Sequence, residues 1–149
     1  MLYIQGKFTK NFFRRMLNVA VFIGGTRFVL WDDIVSVEKR RRTLRSKLQR
    51  YSIGQDEFEI VTRSGQNESC MQSAECYVLS KESIDALVDR INIVLFPFRD
   101  VSIYDATSGR WIVGMVFHEE MVLVRGKDRV MESLDVMGID YSQKAPSWW

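Results

Sequence analysis

The chain has 149 residues, 46% apolar and 12% aromatic, with 21 basic and 19 acidic side chains for a formal charge of +2. This composition supports a hydrophobic core and excludes a disordered chain, and two cysteines are too few for a disulfide framework. The charge is uneven: Lys39, Arg40, Arg41, Arg42, Arg45, Lys47 and Arg50 follow one another with no acid between them, so the remainder of the chain is net acidic.

In chain order, "LYIQGKF" leads into "FFRRMLNVAVFIGGTRFVLW", whose apolar run is too short to span a bilayer and lacks a small-residue cleavage pattern. A soluble, cytoplasmic protein is therefore expected. Alternating Val19, Val21 and Ile23, the Gly24-Gly25 pair, and β-favouring Phe28, Val29 and Leu30 predict a hairpin between Asn18–Ile23 and Arg27–Trp31. "IVSVE" at 34–38 predicts another short strand. Leu44, Leu48 and Tyr51 have helical spacing, so the basic segment is expected either as a short amphipathic helix or as the arm of a long hairpin.

Further strands are predicted at Phe58–Thr62 and Cys76–Ser80, around the turn "RSGQNES". Ile84, Leu87, Val88, Ile91, Val94 and Leu95 then share one helical face, with Ser80 as N-cap, Glu82 at the positive end of the dipole and Pro97 as terminator. Strands at Val101–Tyr104, Trp111–Phe117 and Met121–Val124 follow, separated by "DATSGR" and "HEE". A last helix is predicted from about Lys127 to Met137, with Val130, Leu134 and Met137 on one face and Gly138 as its stop.

These elements imply an α+β fold: an antiparallel sheet closed by an amphipathic helix (1–97), a three-stranded meander with a short helix (98–138) packed with it as one compact domain, and an aromatic tail (139–149). The order strand, "LWDDIVSVE", strand, "FEIVT", turn, "YVLSKESIDALVDRIN" resembles the bacterial pleckstrin-homology-like domains over residues 1–96. The shared features are the Asp32-Asp33 corner and a last strand running directly into a helix. The resemblance implies a curved antiparallel sheet and binding of peptides, proteins or lipid headgroups without catalysis. It assigns no binding residue.

The basic segment 39–50 is the first candidate site. Arginine-rich runs make forked contacts to phosphates and also suit acidic protein surfaces, against the alternative of a solvated loop. A membrane contact is disfavoured because the segment has no Trp or Phe to anchor it. Trp148 and Trp149 form the second candidate. They either fold back onto the sheet or dock on a protein partner or second copy. His118 beside Glu119 and Glu120 reads as a polar turn, because adjacent residues there diverge instead of converging on a ligand. Asp32, Asp33 and Asp105 read as turn caps, Cys70 and Cys76 as reduced structural thiols, and Gly24-Gly25 lacks the rest of a phosphate loop. No catalytic constellation, metal site or cofactor motif is recognised. The function implied is a non-enzymatic module that docks on a protein, as a regulator or inhibitor, with nonspecific nucleic-acid binding as the alternative.

Overall fold

The computed structural model describes residues 1–32, 38–61, 70–88, 98–126 and 128–149. Its elements in chain order are β1 (Leu2–Gln5), α1 (Lys10–Phe22), β2 (Arg27–Asp32), α2 (Glu38–Leu48), β3 (Ser52–Glu59), β4 (Met71–Val78), α3 (Lys81–Val88), β5 (Phe98–Tyr104), β6 (Trp111–Val116), β7 (Met121–Val124) and α4 (Asp128–Val136). The seven strands form one antiparallel sheet in the order β1-β7-β6-β5-β2-β4-β3. The fold is therefore α+β with an antiparallel sheet, and the predicted meander β5-β6-β7 joins the rest through β2.

The predicted first hairpin is wrong: Asn18–Phe22 belong to α1. Thr9 caps this helix, its hydroxyl accepting the Phe12 N–H at 3.1 Å, and Phe13, Met16, Leu17 and Ala20 make a buried stripe at helical spacing. The alternation of Val19, Val21 and Ile23 was too short to outweigh that stripe. Gly24 ends the helix at φ +99°, with its own N–H on the Val21 carbonyl and the Gly25 N–H on the Ala20 carbonyl. The glycine pair is thus a helix C-cap and not a hairpin turn.

α4 ends the same way. Gly138 has φ +60°, and its N–H and that of Ile139 bond the carbonyls of Asp135 and Leu134. At α3, Ser80 and Ser83 cap each other reciprocally: the Ser83 N–H donates to the Ser80 hydroxyl at 3.3 Å and the Ser80 N–H to the Ser83 hydroxyl at 2.9 Å. The basic segment takes the first of its two expected forms, with Leu44 and Leu48 buried. Glu38, expected in a strand, opens this helix, while 33–37 lie outside the described residues. So do Thr62 with the whole of the predicted turn 63–69, Ile91, Val94, Leu95, Pro97 and Lys127.

One face of the sheet meets all four helices. Phe13, Leu17, Leu44, Leu48, Leu87 and Leu134 pack there with Phe28, Tyr77, Val101, Ile103, Met115 and Val122 in one core. The opposite face is also apolar, carrying Val29, Trp31, Tyr104, Trp111, Val116, Met121 and Leu123. The end of β3 and the residues after it curl over this second face. Phe58 packs on Tyr104, the Tyr104 hydroxyl donates to the Glu59 carbonyl at 2.8 Å, and Val61 fits against Gly114, where a Cβ would lie 2.5 Å from Cγ2 of Val61.

The C-terminal tail covers the remaining margin. Ile139 and Tyr141 pack on the helical side, Ser142 exchanges two 2.8 Å backbone bonds with Tyr3 at the outer edge of β1, and Trp149 reaches the second face. Helices are tied to one another by Arg14 with Asp85, and by Arg15 with the Met137 carbonyl at the end of α4.

Because α2 is a core element, Leu48→Ala should lower the unfolding free energy by about 2–5 kcal/mol in a urea titration. A change within about 0.5 kcal/mol, the range of ordinary surface substitutions, would show that α2 is a peripheral appendage.

Candidate functional site

The seven basic residues of segment 39–50 divide into two groups. Arg41, Arg42 and Arg45 are used within the fold. Arg42 Nε donates to Glu38 at 2.8 Å, and Arg41 lies 3.0 Å from Glu38 and 3.7 Å from Asp32. Arg45 donates to Asp32 at 2.8 Å, comes within 3.8 Å of Glu75 and sits over the Phe98 ring, 5.3 Å from its centroid. The hydrogen bond from Arg42 holds the Glu38 carboxyl below the usual carboxylate range.

Glu75 extends this network by accepting 2.8 Å bonds from the Ser52 and Tyr77 hydroxyls. Burial, and then the bond to Glu75, push the Tyr77 phenol well above its ordinary pKa, so it stays protonated and donates. The second group is Lys39, Arg40, Lys47 and Arg50. None of these has an ion-pair partner among the described residues; Lys39, Arg40 and Arg50 are exposed and Lys47 is partly so. α2 therefore presents a smaller cationic face than its composition suggests, on a helix fixed by two leucines and two arginines.

At the tail, the two indoles meet edge to face with centroids 6.1 Å apart. Trp149 packs on the second face of the sheet, whereas Trp148 remains 49% exposed. The pair predicted from sequence is thus split between a cis contact and a solvent-facing ring.

His118 lies in the tight turn Phe117–Glu119, its Nε2 3.4 Å from Glu119 Oε1. Among the described residues no group of three or more His, Cys, Asp or Glu is placed to hold a metal ion. Asp105 caps its turn, accepting the N–H groups of Thr107 at 2.9 Å and Ser108 at 2.6 Å, and these bonds hold its carboxyl below the usual range. Asp32 is an ion-pair partner of α2 instead of a turn cap, and Asp33 lies outside the described residues. Cys70 is exposed and Cys76 buried, both as free thiols; burial pushes the Cys76 thiol up.

A feature missed from sequence is a cleft of about 330 Å3 bordered by Trp31, Asp32, Arg45, Glu75 and Arg99. Behind it Asp100 is 2% exposed, with Oδ2 accepting from Arg99 Nε at 2.6 Å and Oδ1 without a hydrogen-bond partner. Burial raises the Asp100 pKa despite the adjacent Arg99. Only the pairing of strands that are distant in sequence assembles this group, so no local motif announces it. No helix among the described residues is long and apolar enough to cross a membrane. No family model, curated protein or solved structure matches this chain.

Arg45→Gln should destabilise by about 1 kcal/mol, a modest value because Asp32 is half exposed, whereas Arg40→Gln should change stability by less than about 0.5 kcal/mol. Equal effects in urea titrations would refute the division of the cations. For Asp100, a folded-state pKa above the unfolded one means that stability from this site is fully present at low pH and lost as pH rises through the raised value. Asp100→Asn removes that slope. The variant should gain on wild type as the pH rises across that window, and a constant difference between the two proteins would contradict the assignment.

Proposed function

We propose that the protein is a non-catalytic interaction module that docks on an acidic surface of a protein partner through the outward face of α2, acting as a regulator or inhibitor of that partner. What supports this reading is the way the basic segment is spent. Arg41, Arg42 and Arg45 are engaged by Glu38, Asp32 and Glu75, which reduces the arginine forks that would favour phosphate. Among the described residues Lys39, Arg40 and Lys47 on α2, and Arg50 in the turn that follows it, have no such pairs, and α2 is anchored in the core, so presenting them to a partner costs little extra ordering.

Trp148 adds an exposed indole of the type that anchors protein interfaces. The likeness of residues 1–96 to bacterial pleckstrin-homology-like domains points to the same class, a binding domain without chemistry. The cytoplasm, where acidic protein surfaces and nucleic acids are both accessible, is the compartment this reading assumes.

The test is cross-linking in cells through the amines of Lys39 and Lys47, with partner peptides identified by mass spectrometry. It is compared with a variant carrying Arg40→Gln and Arg50→Gln, which keeps both lysines. Cross-links to acid-rich protein segments that fall severalfold in the variant are expected. In parallel, anisotropy with a single-stranded oligonucleotide at 50 and 200 mM salt addresses phosphate. Four free cations bound to a single strand would give a log–log salt slope of about −3. Micromolar binding with that slope, together with cross-links unchanged in the variant, would replace the protein partner with nucleic acid.

A further inference from the structure

β2 and β4 are paired only from Arg27 to Val29, where Val29 faces Cys76. Beyond that point β2 stays with β5 as far as Asp32, while β4 continues along β3 to Met71. The sheet splits there, and the cleft of about 330 Å3 occupies the fork. Among the described residues no ladder joins the two lips, so each carries a strand edge whose main-chain groups face the opening. Trp31 and Ile60 supply apolar surface, and Gln55, Gln72 and Ser73 add side chains with no hydrogen-bond partner among the described residues. Small-ligand sites combine apolar wall with a few placed polar groups, and this cleft holds both, with polar surface in the majority.

Its charges narrow the ligand. Arg99 spends Nε on Asp100 and leaves both Nη groups without a partner among the described residues, at the cleft wall. Asp100 is a buried acid with one oxygen unpaired, an arrangement unfavourable to folding, and its visible effect is to fix the direction of this guanidinium. Asp32 and Glu75 also border the cleft, with Arg45 between them. A dianion such as phosphate would face these carboxylates, whereas a single carboxylate matches the one open arginine fork.

We propose that this cleft binds one carboxylate attached to an amide-bearing body, the chemistry shared by a peptide C-terminus and a free N-acyl amino acid. The Nη groups of Arg99 take the carboxylate, Gln55, Gln72 and Ser73 bond the amide, and Asp100 is a positioning residue that acts through Arg99. The site is independent of the cationic face of α2.

The test is a titration of the isotope-labelled full chain, followed by amide chemical shifts, with N-acetylalanine, acetyl-trialanine as the free acid, and acetyl-trialanine amide. Shifts clustered around the cleft are expected with a free acid, and binding about tenfold or more weaker with the amide, since a hydrogen-bonded charge is lost. Arg99→Gln should abolish binding, and Arg99→Lys should restore part of it. Asp100→Asn should remain folded and weaken binding severalfold. Preference for the tripeptide acid over N-acetylalanine assigns the site to a peptide terminus, and equal affinity assigns it to a free small molecule. Absence of cleft shifts with both acids at millimolar concentration, equal binding of acid and amide, or full binding by Arg99→Gln in a folded protein would each overturn the proposal. Loss of the α2 cross-links with cleft binding intact would separate failure of the docking reading from failure of this one.

Discussion

A single sheet with apolar side chains on both faces must be covered twice, and the rest of this structure follows from that requirement. Trp31, Tyr104, Trp111 and Leu123 point away from the helices, yet each is buried. The four described helices all cover the other side. The second cover is made from the sheet's own material, the curled end of β3, and from Trp149. Glu59 fastens the curl: its carboxylate is held by both terminal nitrogens of Arg125, and the Arg125 guanidinium lies 3.9 Å from the Trp111 ring centroid. A buried acid is tolerable there because a forked, charge-assisted pair satisfies it.

The same curling opens the cleft. β4 cannot follow β3 over the second face and also stay beside β2, so the ladder between β2 and β4 stops at Val29. Gly54 assists with φ +102° at a register shift, where Ile53 is the extra residue in β3. A second shift, which skips Ile112, turns Trp111 onto the face opposite Val113 although the two are two residues apart. Closure of the second face and division of the sheet are thus one deformation, and the fork is where two strand edges and the Arg99–Asp100 pair come together.

Much of this was legible wherever a local pattern also decided the tertiary outcome. The α4 stripe with Gly138, the Ser80 cap and the strands of the meander could be read from spacing, and the helix that buries Leu44 and Leu48 is one of the two forms their spacing allowed. α1 could not be read from its alternating valines, because the deciding signals were Thr9 upstream and a glycine pair serving equally well for a hairpin or a helix end. The candidate sites were harder for a different reason. Composition counts seven cations in segment 39–50; the spacing of Glu38 to Arg41 and Arg42 gives two local pairs, but only the arrival of Asp32 and Glu75 from β2 and β4 engages Arg45. Arg99 and Asp100 are neighbours in sequence, and nothing in that dipeptide reveals that one is buried and the other faces a cleft.

Arg45 connects these levels. It ties α2 to Asp32 at the end of β2, approaches Glu75 on β4 and covers Phe98 at the start of β5, so it bridges the paired β2 and β5 to the departing β4 at the mouth of the fork. An exposed ion pair contributes little by itself. This one acts within a network that includes the Tyr77 and Ser52 hydroxyls, and such networks specify geometry more than they add stability. The guanidinium that a composition-based reading would assign to a partner therefore joins Leu44, Leu48 and Arg41 in keeping α2 at a fixed angle to the sheet. Its neighbours Arg40 and Lys47 inherit that fixed orientation, and a partner meeting them need not first order a loop.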